Sequence, residues 1–299
     1  MTAHHESLIN RSVQINKLDL GADKDEATIL LCGDTHFGDQ MHDKRLDRFV
    51  AKWVAQDSSR YVMFVGDLFN GALKDSLSDV YIDKHPQDEY NEAVRWLASV
   101  DHGCGDGKHH LIASVAGNHD KRFEKSIGIS LVQRAFIEAG DIPLGGKTEC
   151  AGDPKHGIAN DYISINAISI GRDRNYTKSS NHMVHYTFVL WHGKGGGNSD
   201  TAPVRMMNNI TRICANGDVY VVGHTHRPTY QPRCVPLIDK SRSCLEIQPQ
   251  SFVSVPSMLM WGGYGAEAGY GPTANGAFPT IWISGKDKLA EYHDVTVRY

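Results

Sequence analysis

The chain has 299 residues, of which 40% are hydrophobic and 22% charged, a composition that excludes disordered and fibrous proteins. The formal net charge of -4 argues against a protein that coats nucleic acid by bulk electrostatics, but it is compatible with a small basic patch. Residues 1–27 contain no apolar core of the signal-peptide type, and no apolar run reaches the length of a transmembrane helix. Six scattered cysteines without a C-x-x-C pair indicate reduced thiols, so we expect a soluble, cytoplasmic protein without a membrane partner.

Strands and helices alternate in the first half of the chain. Apolar runs that end in glycine predict buried strands at residues 27–33, 61–66 and 111–117. Apolar residues at helical spacing predict two amphipathic helices, whose apolar faces are formed by Leu46, Phe49, Val50 and Trp53 and by Tyr90, Ala93, Val94 and Leu97. A further helix is predicted over residues 127–139, where Gly140 is a natural C-terminal cap.

The second half is richer in strands. Strands are predicted at residues 162–171, 185–193 and 218–226, and a helix at residues 203–216. Strand–helix alternation followed by a strand-rich half predicts an α/β domain with two layered sheets. Because no linker or repeat interrupts the chain, we expect a single domain over residues 1–299, with a motif core at 27–230 and a strand-rich extension at 231–299.

Five polar clusters stand where the predicted strands end. They read GDTHFGD (33–39), GDLFNG (66–71), GNHDKR (117–122), WHGKGGG (191–197) and GHTH (223–226). Ligands of open α/β sheets bind in the crevice beyond the carboxyl ends of the strands. The five clusters are therefore expected to converge on one site.

The residue types in these clusters indicate a metal site. Two aspartates, one asparagine and four histidines provide oxygen and nitrogen ligands without thiolate, a set that suits Mn, Fe or Zn; they are Asp34, His36, Asp67, Asn118, His192, His224 and His226. Alternate residues of a strand point the same way, so Asp34 and His36 are expected to bind one ion together. His224 and His226 share an ion if the strand geometry continues, and face different ions if the chain turns sharply. Glycine before the ligands lets the backbone approach the metals closely.

The order and spacing of these motifs resemble those of the calcineurin-like metallophosphoesterase superfamily between Gly33 and His226. The resemblance implies an α/β fold of four layers, with two packed mixed β-sheets flanked by helices. It also implies a hydrolase that uses two divalent metal ions, with Mn as the first expectation and Fe, Zn or Ni as alternatives.

The resemblance further assigns roles to individual residues. It implies that Asp34, His36 and His226 bind the first ion, that Asn118, His192 and His224 bind the second, and that Asp67 bridges the two. His119 is then the general acid or transition-state stabiliser, and Asp120 polarises it. A histidine near its ordinary pKa of about 6.5 is able to donate a proton to a leaving alkoxide.

Structural alternatives exist for several of these residues. Asp34, His36 and Asp67 are also typical of strand-end turns, and His119 can be a purely structural neighbour of Asn118. Arg122 either binds a substrate phosphate or forms a salt bridge that positions its loop, which is the interpretation we favour. Asn118 is expected to contact substrate as well as metal. The glycines at 195–197 either cradle a phosphate through backbone N–H groups or form a flexible loop.

Histidines outside the motifs and the segment near the C-terminus have simple structural interpretations. The histidines outside the motifs are most simply solvated loop residues; they are His42, His85, His102, His109 and His110. The Gly- and aromatic-rich segment 254–282 is either a substrate-facing flap or a sheet edge. Trp261 and Tyr264 in this segment can form a contact surface, although buried packing is the simpler prediction. The oligomeric state is left open.

The motifs also bear on the substrate. GDTHFGD resembles the first motif of DNA-repair nucleases, whereas GDLFNG lacks the arginine and GNHD lacks the glutamate found in protein Ser/Thr phosphatases. We therefore predict a phosphodiesterase that acts on nucleic acid or a nucleotide. A phosphomonoesterase or nucleotide hydrolase is the main alternative, and a non-catalytic scaffold of the same fold is the other. Basic residues near the motifs either bind further phosphates or form a solvated face; they are Lys121, Arg122, Arg172, Arg174, Lys178, Lys194 and Arg227.

Overall fold

The structure is a computed structural model. It describes residues 11–13, 15–72, 85–150, 153–160, 162–172, 182–195, 199–239, 243–267, 271–272, 275–286 and 295–297. In these parts of the chain, no helix is long and apolar enough to cross a membrane. The five cysteines whose side chains are described (Cys32, Cys104, Cys214, Cys234 and Cys244) are free thiols.

The strands and helices follow one another in the following order. The first half contains β1 (Arg11–Val13), β2 (Asn16–Asp19), β3 (Glu26–Cys32), α1 (Lys44–Ala55), β4 (Arg60–Val65), α2 (Pro86–Asp101), β5 (Leu111–Val115), α3 (Asp120–Ile127) and α4 (Leu131–Glu138). The second half contains β6 (Gly146–Cys150), β7 (Asp153–Asn160), β8 (Ile163–Ile170), β9 (Val184–Trp191), α5 (Ala202–Ile210), β10 (Val219–Val222), β11 (Thr229–Asp239), β12 (Cys244–Ser254), α6 (Gly263–Glu267), β13 (Pro279–Ser284) and β14 (Val295–Val297).

Two mixed sheets form the centre of the fold. One has the strand order β11-β12-β10-β9-β8-β2, and the other has the order β14-β13-β3-β4-β5. β3, β4 and β5 run parallel in the second sheet, and β9 and β10 run parallel in the first. The chain beyond residue 227 contributes strands to both sheets, and β1, β6 and β7 form a small third sheet.

Three hydrophobic cores separate four layers. The first core lies between the helices α1 to α4 and one face of the five-stranded sheet. The second core lies between the two large sheets, and the third lies between α5 and the outer face of the six-stranded sheet. The predicted α/β fold of four layers, with two packed mixed sheets flanked by helices, is therefore confirmed.

The sequence of β3 shows why this strand lies in the middle. Leu30 and Cys32 face the helices, whereas Ile29 and Leu31 face the other sheet, and all four are buried. A strand that is covered on both faces needs a continuous apolar run rather than alternation, and the residues before Gly33 provide one.

Two of the predicted helices have different limits in the structure. The helix expected over residues 127–139 is interrupted at Gly128, which has a φ of 73° and closes α3, while Ser130 caps the N-terminus of α4 by accepting the N–H of Gln133. The glycine permits this left-handed conformation, so the chain turns there instead of continuing. The helix expected over residues 203–216 ends at Ile210.

Candidate metal centre

The predicted ligands lie on five loops at the same end of the two sheets. Asp34 and His36 follow β3, Asp67 follows β4 and Asn118 follows β5. The three remaining histidines follow the parallel strands β9 and β10; they are His192, His224 and His226. The two sheets pack face to face, so the carboxyl ends of these strands meet and the five loops converge as predicted.

Five of these ligands have an unusual backbone conformation. Positive φ values occur at Asp34 (51°), His36 (49°), Asp67 (53°), His224 (67°) and His226 (56°). A non-glycine residue in this region costs on the order of 1–2 kcal/mol, and such strain concentrates at functional sites. Asp34 and His36 do lie in one ligand group, but the predicted reason was wrong. They do not alternate along an extended strand, because both have a positive φ.

Glycines before the ligands allow the loops to pack against one another. A Cβ on Gly66, whose φ is 86°, would lie 2.6 Å from Nδ1 of His192. A Cβ on Gly117 would overlap the backbone and side chain of Asp67. The predicted close approach of the backbone at these glycines is confirmed, because any side chain there would displace a ligand.

The first group of ligands consists of Asp34, His36 and His226. One ligand atom from each lies within 4.8 Å of the others. Nε2 of His226 is 3.3 Å from Oδ1 of Asp34 and 3.3 Å from Nε2 of His36. Asp34 is fully buried and also accepts the backbone N–H of His224, which ties the first loop to the last.

The second group consists of Asp67, His192 and His224, again within 4.8 Å of one another. Nε2 of His192 lies 3.2 Å from Oδ2 of Asp67 and 3.1 Å from Oδ1 of Asn118. Nδ1 of His192 donates to the carbonyl oxygen of Val65 at 2.7 Å, which directs Nε2 toward the site. His224 and His226 fall in different groups, so the sharp-turn alternative describes them correctly.

Asp67 lies between the two groups. Its Oδ2 is 3.2 Å from Nε2 of His192 and 3.8 Å from Nε2 of His36, one ring from each group. Its Oδ1 accepts the backbone N–H of His119 at 2.8 Å. This central position is what a bridging ligand needs.

The donor set fits two divalent ions. The carboxylates of Asp34 and Asp67 are buried against imidazole nitrogens, and buried charge requires compensation. Burial lowers the pKa of His36, which favours the neutral ring that binds metals. Burial also lowers the pKa of His192, but the negative charge of Asp67 outweighs this and raises it to about 10. The atoms in each group attract a cation strongly, and a metal ion can take the place of the proton between His192 and Asp67.

His119 lies at the edge of this centre with its ring fixed at both nitrogens. Nδ1 donates to the carbonyl oxygen of Asn70 at 2.7 Å, and a nitrogen of Arg122 lies 3.0 Å from Nε2. Burial lowers the pKa of His119, with the Arg122 charge contributing in the same direction. His119, His36 and Asp67 also form a third group within 4.8 Å.

Asp120 was predicted to polarise His119, but its carboxylate bonds to other groups. Its two carboxylate oxygens accept the backbone N–H groups of Phe69 and Gly117. Among the described residues, His119 is instead oriented by the carbonyl oxygen of Asn70. Asp120 therefore braces the second and third ligand loops against each other, because it is the first residue of α3 and is fully buried between them.

The position of Arg122 is compatible with both of the roles that the sequence left open. It donates to the carbonyl oxygen of Asn70 at 3.3 Å and contacts the ring of His119, which positions the loop. It also lines a cavity of about 270 Å³ that borders the metal ligands. Asn70 was not predicted as a functional residue, and only its place within the GDLFNG motif could have drawn attention to it.

The cavity is also lined by residues that the motifs did not indicate. Met41, Leu259, Met260 and Trp261 line it, and Trp261 is 56% exposed. Eight residues between Ser257 and Asn275 line the cavity, as the flap alternative requires, whereas β13 is not a sheet edge because it pairs with both β3 and β14. The expectation that Trp261 is buried is wrong. The side chain of Tyr264 lies outside the described residues.

Two histidines that were expected to be solvated are buried. His42 is 8% exposed and bonds to Asp47, and His110 is fully buried. His85 is exposed and caps the N-terminus of α2, while His102 and His109 are exposed beside Asp101. Of the remaining expectations, Gly196, Gly197, Arg174 and Lys178 lie outside the described residues.

Comparison with known proteins identifies the family. One similar solved structure is a predicted phosphoesterase from Streptococcus pneumoniae TIGR4, with 12% identity, a TM-score of 0.31 and coverage of 87% of this chain and 84% of that chain. A second is GAP50, the anchor in the inner membrane complex of Plasmodium, with 11% identity, a TM-score of 0.40 and coverage of 92% and 90% of the two chains. A third is Vps29 complexed with zinc from Entamoeba histolytica, with 12% identity, a TM-score of 0.35 and coverage of 86% and 87% of the two chains. No curated protein matches the sequence. The family model of the calcineurin-like phosphoesterases matches residues 27–228, about two-thirds of the chain and every ligand described above. The chain belongs to the calcineurin-like phosphoesterase family.

Proposed function

We propose that this protein is a hydrolase that uses two divalent metal ions, with manganese as the preferred ion, to cleave phosphodiester bonds in nucleic acid or a nucleotide. The observation that carries the proposal is the position of Asp67 between two ligand groups on the floor of an open cavity. Two ions bound there supply an activated water and a clamp on the phosphate oxygens.

The residues around the ligands support phosphoester chemistry. Arg122 places a guanidinium at the cavity, where it is able to bind phosphate oxygens through charge-assisted hydrogen bonds. The ring of His119 is held by Asn70 so that Nε2 faces Arg122. In this arrangement Nε2 accepts a hydrogen bond from Arg122, and once substrate draws Arg122 away, Nε2 can take up a proton and pass it to the leaving oxygen. Asn118 lines the same cavity and contacts the second ligand group, which suits a residue that touches both metal and substrate.

The shape of the cavity supports a diester over a simple phosphate. Its lining combines a polar part, formed by the ligands and Arg122, with an apolar part that includes Met41, Met260 and Trp261. A phosphomonoester needs only the polar part. A substrate whose phosphate carries a flat, apolar group on its second oxygen uses both, and a nucleobase can stack on an exposed tryptophan.

The complete ligand set argues against a scaffold role. All seven predicted donors occupy the site, and five of them have positive φ values that cost stability. Strain of this kind persists where a function requires it. A protein that kept the fold without catalysis would be expected to relax these loops or lose donors.

The experiment that tests the proposal compares substrates on one preparation. Protein stripped with a chelator and reloaded with Mn²⁺ is assayed with an aryl phosphodiester, the matching aryl phosphomonoester, cyclic nucleotides, and single- and double-stranded DNA. We expect kcat/KM for the diester to exceed that for the monoester by roughly tenfold or more. A reversed preference would establish a phosphomonoesterase instead. No turnover of any substrate after saturation with Mn²⁺, Fe²⁺ and Zn²⁺ would overturn the hydrolase proposal.

A further inference from the structure

A second set of side chains able to bind metal lies at the end of the five-stranded sheet opposite to the candidate metal centre. The loop between α2 and β5 has the sequence DHGCGDGKHH over residues 101–110. It precedes β5, whereas Asn118 follows that strand, so the two sites lie at opposite ends of the same sheet. Three histidines, two aspartates and a cysteine in ten residues are more metal-binding side chains than a simple connection requires.

Cys104, Asp106 and His110 are brought together within this loop. One ligand atom from each lies within 4.8 Å of the other two. Nε2 of His110 is 3.0 Å from Oδ1 of Asp106. Tetrahedral ligands bound to zinc at about 2.0–2.3 Å are separated from one another by roughly 3–4 Å, so small side-chain movements complete the geometry.

His110 is oriented as a metal ligand. Its Nδ1 lies 2.8 Å from the carbonyl oxygen of Arg60 and donates a hydrogen bond to it, and its ring stacks on Tyr61 with 5.4 Å between centroids. The proton on Nδ1 leaves the lone pair of the neutral ring on Nε2, which faces the carboxylate of Asp106. These two electron-rich atoms attract each other only through a second proton or a cation between them. Metal-binding histidines commonly use the same carbonyl bond to fix the ring.

The backbone of the loop holds the three side chains in place. Gly105 and Gly107 have φ values of 72° and 73°, so the chain coils around Asp106 at positions where other residues would be strained. The buried carboxylate of Asp101 accepts the N–H groups of His110 and Leu111, which anchors the end of the loop to β5. His110 is thereby fixed, while Cys104 and Asp106 remain partly accessible for an incoming ion.

We propose that Cys104, Asp106 and His110 bind one Zn²⁺-type ion, separate from the dinuclear centre. Thiolate, imidazole and carboxylate together suit Zn²⁺ or Co²⁺, and water completes the fourth position. Binding releases the thiol proton of Cys104, because the thiolate is the ligand form. The ion would join the α2–β5 loop to the start of β4, to which His110 is already bonded, and would stabilise the fold at the end opposite to catalysis.

Cobalt provides a direct test, because the dinuclear centre contains no sulfur ligand. Full-length protein is titrated with Co²⁺ alone, and the near-ultraviolet absorption band of thiolate-to-cobalt charge transfer is recorded. We expect the band in the wild type and in the control Cys214→Ser, which removes another partly buried thiol. Cys104→Ser should lose the band and bind one ion fewer by elemental analysis. Absence of the band in the wild type, or its persistence in Cys104→Ser, would refute the site.

A second variant guards against misfolding of Cys104→Ser. Asp106→Ala removes a partly exposed side chain, and we expect it to keep the native circular dichroism spectrum while weakening Co²⁺ binding at this site by at least about tenfold. Zn²⁺ should raise the unfolding temperature of the wild type more than that of either variant. Equal binding and equal Zn²⁺ stabilisation in Asp106→Ala and the wild type would mean that His110 and Asp106 form only an ion pair. These readouts do not depend on hydrolytic activity.

Discussion

Nε2 of His42 lies 2.7 Å from Oδ2 of Asp47, and this pair supports the loop that carries Asp34 and His36. Nδ1 of the same ring lies 2.7 Å from the carbonyl oxygen of Thr35, the residue between Asp34 and His36. A neutral imidazole donates only one hydrogen bond, whereas the protonated ring donates to both acceptors. Burial lowers the pKa of His42, but the hydrogen bond and charge of Asp47 outweigh it and raise the pKa above 6.5. The strained ligand loop therefore rests on a buried His42–Asp47 pair outside the family motifs, and this pair is an ion pair when His42 is protonated.

The first prediction concerns Asp47→Asn. Since the pKa of His42 is raised in the folded state, its contribution to stability is complete below pH 6.5 and is lost as the pH rises through the folded-state value. We expect the wild type to unfold at a higher temperature than Asp47→Asn at about pH 6, with the difference narrowing by about pH 9. Thermal unfolding across this range measures the effect. The exposed substitution Asp23→Asn is the control, and a pH-independent difference would exclude a charged His42.

Glu89 provides a second test of pH dependence. Burial raises its pKa from 4.5 to about 7, while its carboxylate accepts the N–H of Gly71 at 3.3 Å. Its contribution to stability is complete below pH 4.5 and is lost as the pH rises through about 7, because ionisation of the buried group favours the unfolded chain. Glu89→Gln should therefore gain stability relative to the wild type over this interval, by up to about 3 kcal/mol. Unfolding in denaturant with metal-free protein measures the gain.

The control for Glu89 is Asp88→Asn, one residue earlier in the same helical turn and exposed. It should show no comparable gain. If Glu89→Gln is equally destabilised at acidic and alkaline pH, the carboxylate acts through its hydrogen bond to Gly71 and not through the cost of burying its charge.

Substitution of His119 separates chemistry from metal binding. We expect His119→Asn to lower kcat by about 10²- to 10⁴-fold, the range for loss of a general acid, with both ions retained. Steady-state kinetics and elemental analysis on the same preparation measure the two effects. His185→Asn, an exposed position on β9, is the control. Loss of an ion in His119→Asn would show instead that this ring is a ligand, as its proximity to His36 and Asp67 allows.

The position of Asp67 between the two ligand groups has a direct consequence for metal content. Asp67→Asn removes negative charge from both ligand groups at once, so we expect the affinity for both ions to fall together. Titration with Mn²⁺ followed by calorimetry measures both sites. Asp39→Asn, in the same cavity but outside both groups, should retain two ions. Loss of a single ion in Asp67→Asn would contradict the bridge.

The exposed tryptophan at the cavity tests the substrate. Trp261→Ala should raise KM for a nucleotide diester by roughly 5- to 100-fold, since stacking on an aromatic ring contributes about 1–3 kcal/mol per base. Activity on a small alkyl phosphoester without a ring should change little, because it does not reach this wall. Trp282→Ala, a partly exposed tryptophan on β13, is the matched control. Equal losses on both substrates would place Trp261 in the framework of the cavity.

The candidate ligands of the dinuclear centre could be predicted from the sequence, because each motif lies within a short segment of the chain. The ligands stand just after apolar runs, four of them directly after a glycine, and the carboxyl ends of parallel strands must meet at one edge of a sheet. The assignment of His224 and His226 was not accessible in this way, since it depends on positive φ values that the letters G-H-T-H do not specify. The role of Asp120 was misjudged for a related reason. Adjacency to His119 suggested contact, but the first turn of α3 directs the carboxylate toward other loops.

By itself, the sequence determined the family, the layered architecture and a set of seven candidate ligands, because motifs, strand periodicity and residue chemistry are properties of short segments. Only the tertiary structure decided which distant side chains surround them. Trp261 reaches the cavity from a segment about 200 residues beyond the first motif, and His42 and His110 are buried because other elements cover them. Such contacts depend on how the layers close over one another, and no local pattern in the chain records that packing.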